Sequence, residues 1–297
     1  MSKLGSPTYQ VTQVLNQVFT PGRSRHAAKQ LGQTDGHIYS IGTMRTYVED
    51  AARFARWCRD VHDVRDIGEI TAEMANAYLD HLAGRERSGG YIGRVRSAIL
   101  KLSHALHGKR WNLGAGWHSD RRPERVYTDD QVAEIVADLQ AHARDPQVAH
   151  VVRLQHIAGL RRREAVRLRG QDIDSERCLI HLERGTKGGR PRQVQVDAGH
   201  QAYLRELEAR ATQHRDGHVF QGRGSLGRRV ERAVDEACRR LGIPDQGTHG
   251  FRKAFAAGRY EQLRAEGLGD VQARRELTGD LGHGRVQVTY SYVPRKP

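Results

Sequence analysis

From Thr43 onward, apolar residues of this 297-residue chain recur in blocks at three- and four-residue spacing, and the period changes to that of strands around residues 178–196. The first period places side chains on one face of a helix and the second alternates them across a strand. A chain patterned this way predicts a mainly α fold with one small antiparallel β-sheet.

From Thr43 the spacing predicts a helix to about Asp60, capped by Thr43, with Tyr47, Ala51, Phe54, Ala55 and Cys58 on its apolar face. A second helix starts at Thr71 and turns Met74, Ala75, Tyr78, Leu79 and Leu82 inward. The loop GRERSGG (84–90) leads to a third over Tyr91–His107, with Ile92, Val95, Ile99, Leu102 and Leu106 inside. Residues 43–110 therefore read as a small helical domain whose aromatic residues are core. Residues 1–42, rich in Gly, Ser, Gln and basic side chains, read as an N-terminal arm. Its segment PGRSRHAAK (21–29) suits a polyanion contact or a solvated tail equally well. Glycines, a proline and basic residues mark 111–126 as a linker, which leaves 127–297 as a second domain.

That domain opens with a capping box, Thr128 followed three residues later by Gln131. Residues 148–158 form a helix ended by Gly159, and LRRREAVRL (160–168) a short one. CLIHLE (178–183) and RQVQV (192–196) read as strands joined by the Gly-rich turn RGTKGGRP (184–191), and helices resume after Ala198.

Lys and Arg total 49 against 35 Asp and Glu, a net charge of +14. Such an excess suits a polyanion, because neutralising phosphates releases condensed counterions. Charge alone does not separate DNA from RNA or an anionic membrane. No apolar run reaches the roughly 18 residues of a membrane span, and MSKLGSPTYQ lacks the apolar core of a secretory signal. Cys58, Cys178 and Cys238 are widely spaced and form no CxxC pair, and the histidines show no zinc-finger spacing. These features predict reduced thiols, no metal site and a cytoplasmic protein.

Several residues of the second domain could carry chemistry: Arg161, Lys187, His249 with Arg252, His283, and Tyr290 or Tyr292. Phosphodiester transfer without a metal needs these types. Two arginines grip the non-bridging oxygens of a phosphorane-like transition state. A tyrosine attacks phosphorus once its proton is removed. A lysine protonates the leaving 5′-oxygen, and histidines orient the phosphate or move the proton. Each residue alone has an ordinary reading: a turn lysine, a chance His-x-x-Arg pair, a packing tyrosine. For Arg162, Arg163, Arg167 and Arg169 a solvated basic face or backbone contact is preferred. The order and spacing of the set carry the functional reading.

In that order the chain resembles the tyrosine recombinases of the phage-integrase type. AGLRRREAVRL (158–168) is similar to the family's first-arginine box, which implies Arg161 as catalytic and Glu164 as its buried support. GTKGGRPRQVQV (185–196) resembles the β-hairpin lysine region and implies Lys187. THGFRKAFA (248–256) resembles the His-x-x-Arg box and implies His249 and Arg252. LGHGRVQVTYSYV (281–293) resembles the Leu-Gly-His box and implies His283. The family's nucleophile usually follows that histidine by nine residues, with a threonine three residues before it, which selects Tyr292 after Thr289; Tyr290 is the alternative.

The resemblance covers about residues 125–293. It implies a two-domain DNA clamp, with a helical core-binding (SAM-like) domain beside an α+β catalytic domain. It further implies a 3′-phosphotyrosyl intermediate without metal, ATP or other cofactor, and a homotetramer on two double-stranded recombination sites. Accessory DNA-bending or directionality proteins, and residence in the cytoplasm on the nucleoid, would follow. Only five residues follow Tyr292, so a subunit exchange through a longer tail is not expected. The competing readings are a type IB topoisomerase-like relaxing enzyme, a non-catalytic DNA-binding protein of the same fold, and an RNA-binding module. The box spacing argues against the first, the complete residue set against the second, and the lack of an aromatic-rich ribonucleoprotein motif against the third.

Overall fold

The computed structural model describes residues 5–23, 28, 30–32, 36–116, 126–183 and 191–294. The chain divides into two compact units, residues 1–122 and 123–297.

The first unit is helical. Its helices are α1 (Pro7–Asn16), α2 (Ile41–His62), α3 (Ala72–Gly84) and α4 (Gly89–His107). Each starts on a hydroxyl cap that satisfies a backbone N–H left without an intrahelical partner: Ser6, Ser40, Thr71 and Ser88. Ser40, not Thr43, caps α2, accepting from the Thr43 N–H at 3.0 Å. Thr43 lies three residues inside, where its hydroxyl accepts from Ser40 Oγ at 2.8 Å. Most of the expected apolar faces are buried, including Phe54, Cys58, Leu79 and Ile99, while Tyr47, Met74 and Leu106 are half-buried.

Part of the segment read as a basic arm belongs to this core. Val11 and Leu15 of α1 are fully buried against α2 and α4. The Val/Leu spacing of one short amphipathic helix is outweighed in composition by the polar residues around it. Residues 24–27 and 29 of the basic stretch lie outside the described residues. So do 117–125 of the expected linker. Residues 113 and 114 of that linker are tied to the first unit, where Arg96 donates to both carbonyls.

The second unit contains α5 (Asp129–His142), α6 (Gln147–Ile157), α7 (Arg162–Val166), β1 (Ile173–Asp174), β2 (Leu179–Leu182), β3 (Arg192–Gln195), α8 (Gln201–Thr212), α9 (Arg223–Leu241), α10 (His249–Ala265), α11 (Asp270–Asp280) and a 3-10 turn over Val286–Ser291. The Thr128–Gln131 capping box forms with both reciprocal bonds. The sheet is antiparallel in the order β1-β2-β3, with Ile180 opposite Val194. β1 is only two residues long, too short to produce a readable period.

The main core joins α5 to α9 and the sheet with the start of α10. A smaller one unites the far half of α10, α11 and the C-terminal turn around Ala256, Leu263, Ala273, Leu277, Leu281 and Tyr292. Cys58, Cys178 and Cys238 are buried free thiols. Among the described residues no helix is long and apolar enough to cross a membrane.

Candidate active site

Arg161 immediately precedes α7 with an extended backbone, φ −66° and ψ 144°. Its N–H donates to Glu164 Oε2 at 2.9 Å and its Nη1 to Glu164 Oε1 at 2.7 Å. The carboxylate of Glu164 is thus a local cap that also aims the arginine. Its opposite side is gripped by Arg192, whose Nη1 and Nη2 donate to Oε1 and Oε2 at 3.1 and 2.7 Å. Burial pushes the Glu164 carboxyl up, but Arg192, and then Arg161, outweigh it and bring it down to about 2. Arg192 Nε donates to the Asp280 carbonyl at 3.0 Å, which ties β3 to the end of α11.

Arg252, one turn into α10, is completely buried. Its Nη1 donates to the Gly159 carbonyl, and its Nη2 to the Leu281 carbonyl. Gly159 has φ +57°, and a Cβ there would collide with the Phe255 ring, so the glycine in front of Arg161 answers both a backbone and a packing demand. Arg161 Nη2 also reaches the Leu281 and Gly282 carbonyls, at 3.3 and 3.4 Å. Both arginines therefore converge on the turn that closes α11. Gly282 makes that turn with φ +61°, and a Cβ would meet Arg192 Cδ at 2.8 Å. Desolvation lowers Arg252 to about 10, partly offset by the nearby Tyr292.

His283 follows the turn. Its Nε2 lies 3.4 Å from Arg252 Nη2 and 3.2 Å from Tyr292 Oη. Desolvation first, and then Arg252 and Arg161, lower His283 to about 4, so the ring is neutral at pH 7. A guanidinium only donates, so Nε2 presents its lone pair and the ring proton is assigned to Nδ1. The Tyr292 hydroxyl then donates to Nε2. His249, at the start of α10, places its ring 5.4 Å from that of Tyr292. Burial, and then Arg252, lower it to about 4 as well.

Arg161, His249, His283 and Tyr292 line one cleft of about 740 Å³, together with Gln155, Arg162, Arg163 and Arg285. Arg252 sits behind it, its Cζ 5.8 Å from the Tyr292 ring. A neutral acceptor beside a tyrosine hydroxyl, framed by an excess of guanidinium groups, suits proton removal from the tyrosine next to a bound phosphate. Tyr290 is placed elsewhere, with its ring 4.1 Å from the Arg274 guanidinium. Lys187 lies outside the described residues.

The family model described as Integrase matches residues 120–258. The chain is 28% identical over 272 residues to the tyrosine recombinase XerD of Caulobacter vibrioides, covering 83% of this chain and 82% of the relative. The likeness is to tyrosine recombinases and runs over most of the chain. The solved structure of the XerH site-specific recombinase bound to palindromic difH substrate shares the fold, with a TM-score of 0.68, 14% identity, and 100% and 95% coverage of the two chains. The Tn1549 transposon integrase in complex with transposon right end DNA gives a TM-score of 0.64 at 15% identity, over 97% of this chain and 95% of that one.

The sequence reading missed Arg192, which holds the Glu164 carboxylate from the far side. A signal was present. Arg192, Val194 and Val196 alternate along the strand, and both valines are fully or almost fully buried. An arginine in phase with two core valines must be buried, and a buried arginine needs an acceptor. Gln155 was also missed: it is 1% exposed and donates to the Thr248 carbonyl just before His249, at 3.1 Å.

Proposed function

We propose that this chain is a site-specific recombinase that breaks and rejoins duplex DNA through a 3′-phosphotyrosyl intermediate, without metal or ATP. The observation that carries this reading is the 3.2 Å approach of the Tyr292 hydroxyl to a neutral His283 in the arginine-lined cleft. Arg161 and Arg252 hold the non-bridging oxygens of the scissile phosphate, and their fixed forks stabilise the charge of the transition state. Tyr292 attacks phosphorus as its proton passes to His283 Nε2. The Oη–P bond forms, the P–O5′ bond breaks, and Lys187 protonates the departing 5′-oxygen with His249 assisting. A 5′-hydroxyl from a partner duplex then attacks the phosphotyrosine and releases Tyr292. Bond energy is conserved throughout, and the reaction proceeds in a homotetramer on two sites, with DNA-bending or directionality proteins as accessories.

The test traps the intermediate. Nicked suicide duplexes made from DNA flanking the gene are incubated in EDTA with wild type, Tyr290→Phe and Tyr292→Phe, and resolved on denaturing gels. A labelled adduct with the first two and not with Tyr292→Phe is expected. Loss only in Tyr290→Phe moves the nucleophile, and site binding with no adduct from any variant refutes the catalytic reading.

A further inference from the structure

Tyr292 ends a 3-10 turn, a weak element that does not hold its own geometry. In-line attack requires the hydroxyl within roughly 3.5 Å of phosphorus, so something outside the turn must fix it. Behind the cleft, Arg274 of α11 is 1% exposed. Its Nε donates to Asp270 Oδ1 at 2.8 Å, and its Nη1 to the carbonyl of Val293, the residue after Tyr292, at 2.8 Å. Its guanidinium stacks 4.1 Å from the Tyr290 ring and 4.9 Å from the Tyr260 ring. Tyr260 donates to the same Asp270 oxygen at 2.6 Å.

Helix stability alone does not explain this arrangement. Asp270 and Arg274 are four residues apart, and such a pair forms readily in solvent. Here Asp270 stays 43% exposed while the Arg274 side chain is 2% exposed. Burying a guanidinium is unfavourable unless its donors are satisfied. The groups it reaches by turning inward belong to Tyr290 and Val293, on either side of Tyr292.

We propose that Arg274 is a positioning residue for the nucleophile: braced by Asp270 and Tyr260, it grips the chain on both sides of Tyr292 and sets where that hydroxyl lies. This rests on Tyr292 being the attacking residue, and it assigns the neighbouring Tyr290 ring to the brace.

The test measures DNA affinity and single-turnover adduct formation at saturating suicide duplex for the full chain and its Arg274→Met, Arg274→Lys, Tyr290→Ala and Tyr290→Phe variants. Arg274→Met should bind as wild type does and form adduct about 100-fold more slowly, the scale of an ångström-level misplacement. Arg274→Lys, which keeps the charge and a donor for the Val293 carbonyl, should recover part of that loss. Tyr290→Ala should slow cleavage by roughly tenfold and Tyr290→Phe should keep most of the rate, since the ring makes the contact. Should Arg274→Met fail to fold, Tyr290→Ala with its Phe counterpart carries the test. Cleavage within about threefold of wild type in the folded Arg274→Met or Tyr290→Ala chain, or a loss accounted for by weaker binding, overturns the inference. A wild type that forms no adduct overturns the recombinase reading, and the inference with it.

Discussion

Replacing Glu164 by glutamine removes the charge on which Arg161 and Arg192 converge. Each carboxylate oxygen accepts two hydrogen bonds: Oε1 from Arg161 Nη1 and Arg192 Nη1, Oε2 from the Arg161 N–H and Arg192 Nη2. Whichever way a glutamine amide is turned, its NH2 faces two donors. The fall of the carboxyl from 4.5 to about 2 corresponds to roughly 3 kcal/mol at about 1.36 kcal/mol per pH unit. The side chain is 1% exposed, so solvent screening takes little from that figure. Breaking one partner of a buried ion pair costs about 3–5 kcal/mol, which agrees. At about 2–4 °C per kcal/mol for a domain of this size, Glu164→Gln should lower the Tm of the second unit by about 10 °C. The folded carboxyl titrates below the unfolded one, so its stabilisation is complete above about pH 4.5 and is lost as pH falls towards 2. The difference between wild type and Glu164→Gln, measured by urea unfolding, should therefore shrink by roughly 3 kcal/mol between pH 6 and pH 2. A difference that stays constant over that range would refute the electrostatic account, even if the variant were unstable.

Three further outcomes are expected. Arg161→Ala and Arg252→Ala should each lower single-turnover cleavage by about 100- to 1000-fold while gel-shift affinity stays close to wild type; cleavage at the wild-type rate by either would remove that arginine from the site. Gly282→Ala, which imposes a side chain at φ +61° and on Arg192 Cδ at 2.8 Å, should cost about 1–3 kcal/mol in thermal unfolding, and a neutral result would mean the turn is not constrained. In the free protein, NMR titration of His249 and His283 should show midpoints near 4. Since both fall below the ordinary 6.5, the unfolded chain binds more protons between those values, and this contribution to stability is lost as pH falls from about 6.5 towards 4. Midpoints near 6.5 would contradict the burial that lowers them.

Much of the site was legible because its boxes are local. Gly159-Leu160-Arg161 with Glu164, His249 with Arg252, and Gly282-His283 each lie within one helical turn. Caps and apolar periods likewise depend on neighbours a few residues away, so the mainly helical fold and its small hairpin sheet could be read directly. Where a nearby alternative existed the local reading slipped, as with Ser40 and Thr43 at the start of α2, and composition hid the short buried helix α1.

The sequence by itself determined the helical character of this protein and the order of its chemical groups, because those follow from residue type and spacing along the chain. Only the tertiary structure decided that Arg192 shares the Glu164 carboxylate, that His283 Nε2 faces Tyr292, and that Tyr290 packs on Arg274 instead. The two ion-pair partners are 28 residues apart, and Arg161 meets the closing turn of α11 across 120. Helix period and capping carry no information over such separations. Which donor finds which acceptor is set by burial, which makes every unpaired polar group costly and leaves few arrangements that satisfy them all.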